Sequence, residues 1–142
     1  MSHTATQTDD HVQRLELRMD SANGAIQQLI LATKQAEATA YGEKRREAYR
    51  TTRYLLAGCR SNGISMSELA TLLGASAGSV RARSSADGIV SRATFASLAS
   101  ITLNTILRWE ATGILPPPTP DERGHLGHAA STLVATLLKS GE

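Results

Sequence analysis

One cysteine, four prolines and 4% aromatic residues are all that this 142-residue chain holds of three informative residue classes. Cys59 alone cannot build a disulfide framework, and a single thiol fits a reducing compartment. It cannot form a zinc site by itself, and His3, His11, His125 and His128 show no ligand spacing with it. No metal or cofactor is therefore expected. The shortage of aromatics means a core built from Ala, Leu, Ile and Val. No stretch approaches ~18 apolar residues and no signal-peptide pattern opens the chain, so a cytoplasmic protein with no membrane association is expected. Catalytic patterns are missing too. There is no Gly-rich phosphate loop, no plausible carboxylate pair and no Cys/His pair, so no catalytic residues and no enzyme are expected.

Net charge is only +2, but its distribution is uneven. From Lys44 to Arg108 ten basic residues face three acids, a net of +7, and the remainder nets −5. A basic middle between acidic ends suits a polyanion-binding module; the alternative is a solvated surface with chance clustering.

Residues 1–10 are polar and unpatterned and read as a disordered tail. From Val12 a heptad seam runs through Leu15, Met19, Ala22, Ile26, Leu29, Thr33, Ala36 and Ala40. The spacing predicts a long helix over 11–58 that pairs two chains as a coiled coil. The alternative is a long helix that folds back on its own chain. Asn62-Gly63 marks a turn, and a compact helical domain is expected over 59–115. Pro116, Pro117, Pro118 and Pro120 should end regular structure, leaving a Pro-rich segment and a short helix over 128–139 within 116–142. No internal repeat of solenoid length is evident. The expected class is all-α: a long N-terminal coiled-coil helix followed by a compact helix-turn-helix domain.

Within that domain, Ser65 or Ser67 can cap a helix over 66–73, with Leu69, Ala70 and Leu73 on one face. Gly74 supplies a positive φ that stops it. Ser76 caps a second helix, and Val80 packs back on the first. This spacing, in "MSELATLLGASAGSVRARSS", resembles helix-turn-helix transcription regulators, and "LLGASAGSVRAR" is similar to sigma-factor region 4 and LuxR-type domains. The family's second aliphatic residue after the valine is here Arg83; either Arg83 snorkels or Ala82 packs in its place. The resemblance implies a sequence-specific, double-stranded DNA-binding regulator of bacterial or phage type, with the transcription machinery as a further partner.

The second helix is thin at its start and can enter a major groove ~12 Å wide. Ser76, Gly78, Ser79, Arg81, Arg83 and Ser84 are its candidate DNA contacts, and Arg45, Arg46, Arg50 and Arg53 are candidate phosphate contacts on the preceding helix. The alternative for those four arginines is a solvated helix face. Homodimerisation would rest on Val12, Leu15, Met19, Ala22, Ile26 and Leu29, presenting two half-sites.

Downstream, "TLNTILRWEATGILPPP" is similar to part of MerR-type winged helices, through Arg108, Trp109, Glu110, Gly113, Ile114, Leu115 and Pro116. The preceding turn, between Ala99 and Thr105, reads as about three residues short of that family's. The favoured reading is that Ile101, Leu103, Ile106, Leu107 and Trp109 are core; otherwise Arg108 is a second DNA contact and the site is bipartite. A different class of function, a non-enzymatic coiled-coil adaptor that docks another protein through its helical domain, fits the same elements.

Overall fold

The computed structural model describes residues 24–140. Helix α1 occupies residues 24–39 and buries Ile26, Leu29, Ile30 and Thr33, one face at helical spacing. Helix α2, Glu43–Ser61, repeats that pattern with Thr52, Leu55, Leu56 and Cys59. Between them the chain breaks at Ala40–Gly42, where Gly42 takes a φ of 66°.

The single helix expected over 11–58 is therefore two helices in its described part. A residue with φ near +66° cannot continue a right-handed helix, and glycine is the residue that adopts this value at low cost. The seam residues Ile26, Leu29 and Thr33 are buried in the chain's own core, as the fold-back alternative requires. Val12, Leu15, Met19 and Ala22 lie outside the described residues.

Helices α3 (Met66–Leu73) and α4 (Ala77–Arg83) follow, then strand β1 (Ile89–Ser91), helices α5 (Arg92–Ala99) and α6 (Leu103–Ala111), strands β2 (Thr119–Pro120) and β3 (Leu126–Ala129), and helix α7 (Ala130–Ser140). The molecule is thus broadly all-α, as expected, with one small sheet added, and its described part shows no long N-terminal coiled-coil helix. The three strands form one antiparallel sheet in the order β1-β3-β2, with Val90 opposite His128 and Thr119 opposite Gly127. Strands of two to four residues are too short to show an alternating pattern, which is why the sequence reads as helical throughout. The prolines at 116–118 do not end the regular structure; the chain returns through the β2–β3 hairpin.

One core joins α1, α2, the two helix pairs, β1 and α7 through Leu29, Leu55, Leu56, Leu69, Val80, Phe95, Ile106 and Leu133. The short C-terminal helix is present, with Leu133 and Leu137 buried. Asp87 fixes its start by accepting hydrogen bonds from Ser131 N (3.2 Å) and Ser131 Oγ (2.6 Å).

Gly58, at the expected end of the long helix, sits inside α2 instead. A Cβ there would lie 2.9 Å from the carbonyl carbon and oxygen of Ala130, so the glycine lets α2 and α7 touch backbone to backbone. Gly58→Ala should lower stability by about 1–3 kcal/mol through overpacking, against the roughly 1 kcal/mol gain that alanine brings to an open helix. Urea denaturation decides the sign; a stabilised variant would mean that the two helices do not approach this closely.

Candidate nucleic-acid interface

The first helix pair is built by its caps. Ser65, not Ser67, caps α3, accepting from Glu68 N at 3.1 Å. Gly74 closes it with φ 66° and ψ 37°. Ser76 caps α4, accepting from Ser79 N at 3.1 Å. Val80 is fully buried and Leu69 lies with it in the core.

The second pair repeats this device 26 residues later. Ser91 caps α5 through Thr94 N (3.2 Å), Ser100 closes it with φ 56° and ψ 41°, and Thr102 caps α6 through Thr105 N (3.2 Å). The N–H of the following residue returns to the same carbonyl in both turns, Ala75 to Ala70 and Ile101 to Ala96, each at 3.0 Å. Ile106 takes the place of Val80, buried to the same degree. The turn that reads as three residues short is Ser100–Thr102, the same length as Gly74–Ser76. Helix α6 starts at Leu103, two residues before Thr105, behind the Thr102 cap, and Ser100 takes the left-handed conformation without being glycine.

The outward faces of the two pairs differ. Val80 and Ser84 point into the molecule, which leaves Gly78, Ser79, Arg81 and Ala82 exposed on α4. Ser84 is no surface group: its hydroxyl donates to Arg81 O at 3.1 Å. On α6, Ile106 and Trp109 are core as expected, and Ile101 is half-buried against it. Leu103 and Leu107 are not core; they remain 45% and 38% exposed because they lie on the opposite side of the helix. Arg108 is exposed on α6.

Arg46, Tyr49, Arg50, Arg53 and Arg83 line one open concavity between α2 and α4. Four of the expected basic residues are therefore brought together by packing α4 on α2. Two guanidiniums approach the Tyr49 ring, with the Arg45 and Arg83 carbons 5.5 and 5.6 Å from its centroid. Arg83 is held there by Glu37 of α1 at 2.5 Å. It is half-buried with its guanidinium on Glu37, and Ala82 is exposed, so Ala82 does not take the missing aliphatic residue's place. Arg81 is exposed on α4, and neither it nor Arg108 lines the concavity.

Sequence reasoning missed Glu37, Tyr49, Glu122 and Arg123. Tyr49 had a signal, its i,i+4 spacing from Arg45; the other three act across the fold and had none. The β2–β3 turn docks on α2: Glu122 pairs with Arg50 Nε at 3.0 Å and accepts from the Tyr54 hydroxyl, while Arg123 pairs with Glu47. The hydrogen bond to Glu122, followed by burial, pushes the Tyr54 phenol up from its usual range.

Beneath the second pair, Glu110 joins three elements. Arg92 Nε and Nη2 meet its two oxygens at 2.9 and 2.6 Å, and His128 Nε2 meets Oε2 at 2.6 Å. His128 is almost fully buried. Cys59 is buried as well, and burial pushes its thiol up to about 12, as suits a small core residue. Among the described residues, no cluster of three His, Cys, Asp or Glu side chains is arranged to hold a metal ion. No described helix is long and apolar enough to cross a membrane. No protein-family model, curated protein or solved structure matches the chain.

The Arg92 hydrogen bond, and after it the His128 one, hold the Glu110 carboxyl below its usual range. A carboxylate with a lowered folded pKa binds fewer protons folded than unfolded, so its contribution is present above the unfolded value near ~4.3 and lost as pH falls through the folded one. Glu110→Gln should cost about 3 kcal/mol at neutral pH, leaving Arg92 unpaired, and much less in acid. Urea melts from neutral pH down to about pH 3, across that window, test this; an equal cost throughout would mean that the ion pair is not what holds α5, α6 and β3 together.

Proposed function

We propose that this protein binds double-stranded DNA as a non-enzymatic regulator, through α4 and the basic concavity beside it. The observation that carries the reading is the gathering of Arg46, Arg50, Arg53 and Arg83 around Tyr49, at the flank of a helix whose outward residues are small or basic. Arg50 and Arg83 are paired with Glu122 and Glu37, so Arg46 and Arg53 supply most of the positive field that a backbone of regularly spaced phosphates matches. Gly78 and Ala82 keep the outer side of α4 thin, which suits entry into a groove, and Arg81 and Ser79 extend from it toward base edges or phosphates. Arg45, Arg46 and Arg53 then position the duplex, and Arg83 acts mainly by ordering Tyr49 and α4. Pairing of two chains through Val12, Leu15, Met19 and Ala22 belongs to the same reading, with operator half-site spacing as its readout.

Binding of a mixed-sequence duplex, followed by fluorescence anisotropy across salt concentrations, tests this. Affinity should fall steeply with salt, by a slope of about 0.9 per phosphate contacted. Arg81→Ala should weaken binding about tenfold, and Arg46→Ala/Arg53→Ala should reduce the slope by about one per lost phosphate. Binding that is absent at low salt, or indifferent to salt, would sink the proposal.

A second reading, docking of another protein, is favoured by one observation: Leu103, Leu107 and Ile114 are 45%, 38% and 58% exposed at and just beyond α6. Its contacts would resist salt and fail on Leu103→Ser/Leu107→Ser.

A further inference from the structure

Arg50 borders two cavities. On one side lies the basic concavity with Arg46, Tyr49, Arg53 and Arg83; on the other lies a cleft closed by Asp121, Glu122 and Arg123 of the β2–β3 turn. Its position on α2 explains this. Arg46, Tyr49, Arg50 and Arg53 follow one helical face, whereas Glu47, Arg50, Thr51 and Tyr54 follow the adjacent one, and Arg50 belongs to both. An acidic side chain of the turn therefore reaches the rim of the polyanion face from behind.

We infer that the β2–β3 turn is an internal latch on that face: Glu122 occupies Arg50 in the place a DNA phosphate would take, and duplex binding displaces it. The inference rests on the nucleic-acid reading above and adds a regulatory element to it.

The turn is built to leave α2 without unfolding. It is closed on itself by Asp121 N to His125 O (2.7 Å) and Gly124 N to Asp121 O (3.0 Å). The Asp121 carboxylate accepts from Arg123 N and His125 N, both at 2.9 Å, and Gly124 takes the positive φ that the reversal needs. None of these bonds involves α2. Among the described residues, the side-chain bonds between turn and helix are the Glu122–Arg50 pair, the Tyr54–Glu122 hydrogen bond and the Arg123–Glu47 pair. The Arg50 and Glu122 side chains are 36% and 53% exposed, so water and phosphate can reach them. Solvent-exposed pairs of this kind are individually weak, and a phosphate on the duplex can replace a carboxylate on one guanidinium. The docked turn subtracts a charge from the basic face; its departure returns Arg50 to the face.

The test uses the full chain and a labelled mixed-sequence duplex in a salt series, with thermal melts confirming that each variant is folded. Glu122→Gln should tighten binding about threefold at low salt and steepen the salt slope by about 0.9, one further phosphate. Tyr54→Phe loosens the same contact without changing charge and keeps the ring beside Gly88; it should tighten binding in the same direction. In an Arg50→Gln background, Glu122→Gln should change nothing. If wild type binds and both single variants bind identically to it, the latch is overturned while the nucleic-acid reading stands. A gain from Glu122→Gln that persists without Arg50 also overturns the latch, since a diffuse charge effect explains it. If wild type fails to bind at low salt, both readings fall.

Discussion

The approach of α2 to α7, backbone against backbone at Gly58 and Ala130, divides α2 into two halves with different duties. Its C-terminal half is locked: Thr52, Leu55, Leu56, Ala57, Gly58 and Cys59 are buried one after another. Strand β1 leads from the first helix pair to the second, and α7 closes the core against α2 from the far side. Its N-terminal half is polar and extends beyond the buried section, where α4 and the β2–β3 turn both meet it. A rigid helix with one end in the core is a good mount for charged side chains, because their spacing is set by helix geometry instead of by a flexible loop.

The two helix pairs illustrate how far local chemistry can determine a shape while leaving its surface open. Both use a Ser or Thr cap, a residue in the left-handed region, a second cap, and an aliphatic residue four positions further on that returns to the core. These few positions define the chain path. The outward positions of the second helix carry no such constraint, and they have diverged: small and basic on α4, leucine-bearing on α6. Likeness of path is therefore no argument for likeness of partner, and each face must be read from its own side chains.

What could be read from the sequence follows the same division. The first helix pair was legible in detail because caps and the positive φ at Gly74 are set by neighbours in sequence. The second was harder, since Ser100 does the work expected of a glycine and gave no signal. The break at Gly42 was missed because helix-forming residues continue beyond the seam's end at Ala40 as far as Gly58; in its described part the seam is a buried stripe at Ile26, Leu29 and Thr33 that faces the chain's own core. The sheet was invisible: its strands are held by register with β3 and by Glu110, which links Arg92 and His128 from distant positions. The arginines of the candidate interface were all named from sequence, whereas their anchors, Glu37 and Glu122, are contributed by α1 and the hairpin. Identity of charge is local; its pairing is tertiary.

That distinction matters for how a chain of net charge +2 presents a basic face. On α2 six bases outnumber two acids, and acids elsewhere in the chain bring the total down to +2. Wound into a helix, Arg46, Arg50 and Arg53 share one face, while Glu47 lies on the neighbouring one and pairs with Arg123. Glu37 faces inward to Arg83, so the nearest acid on that side is already neutralised. The residual field therefore belongs to the concavity and not to the molecule as a whole. With a Debye length of ~8 Å at physiological salt, a ligand senses only the charges of the face it approaches. The internal ion pairs, more than the overall composition, decide which charges remain for it to meet.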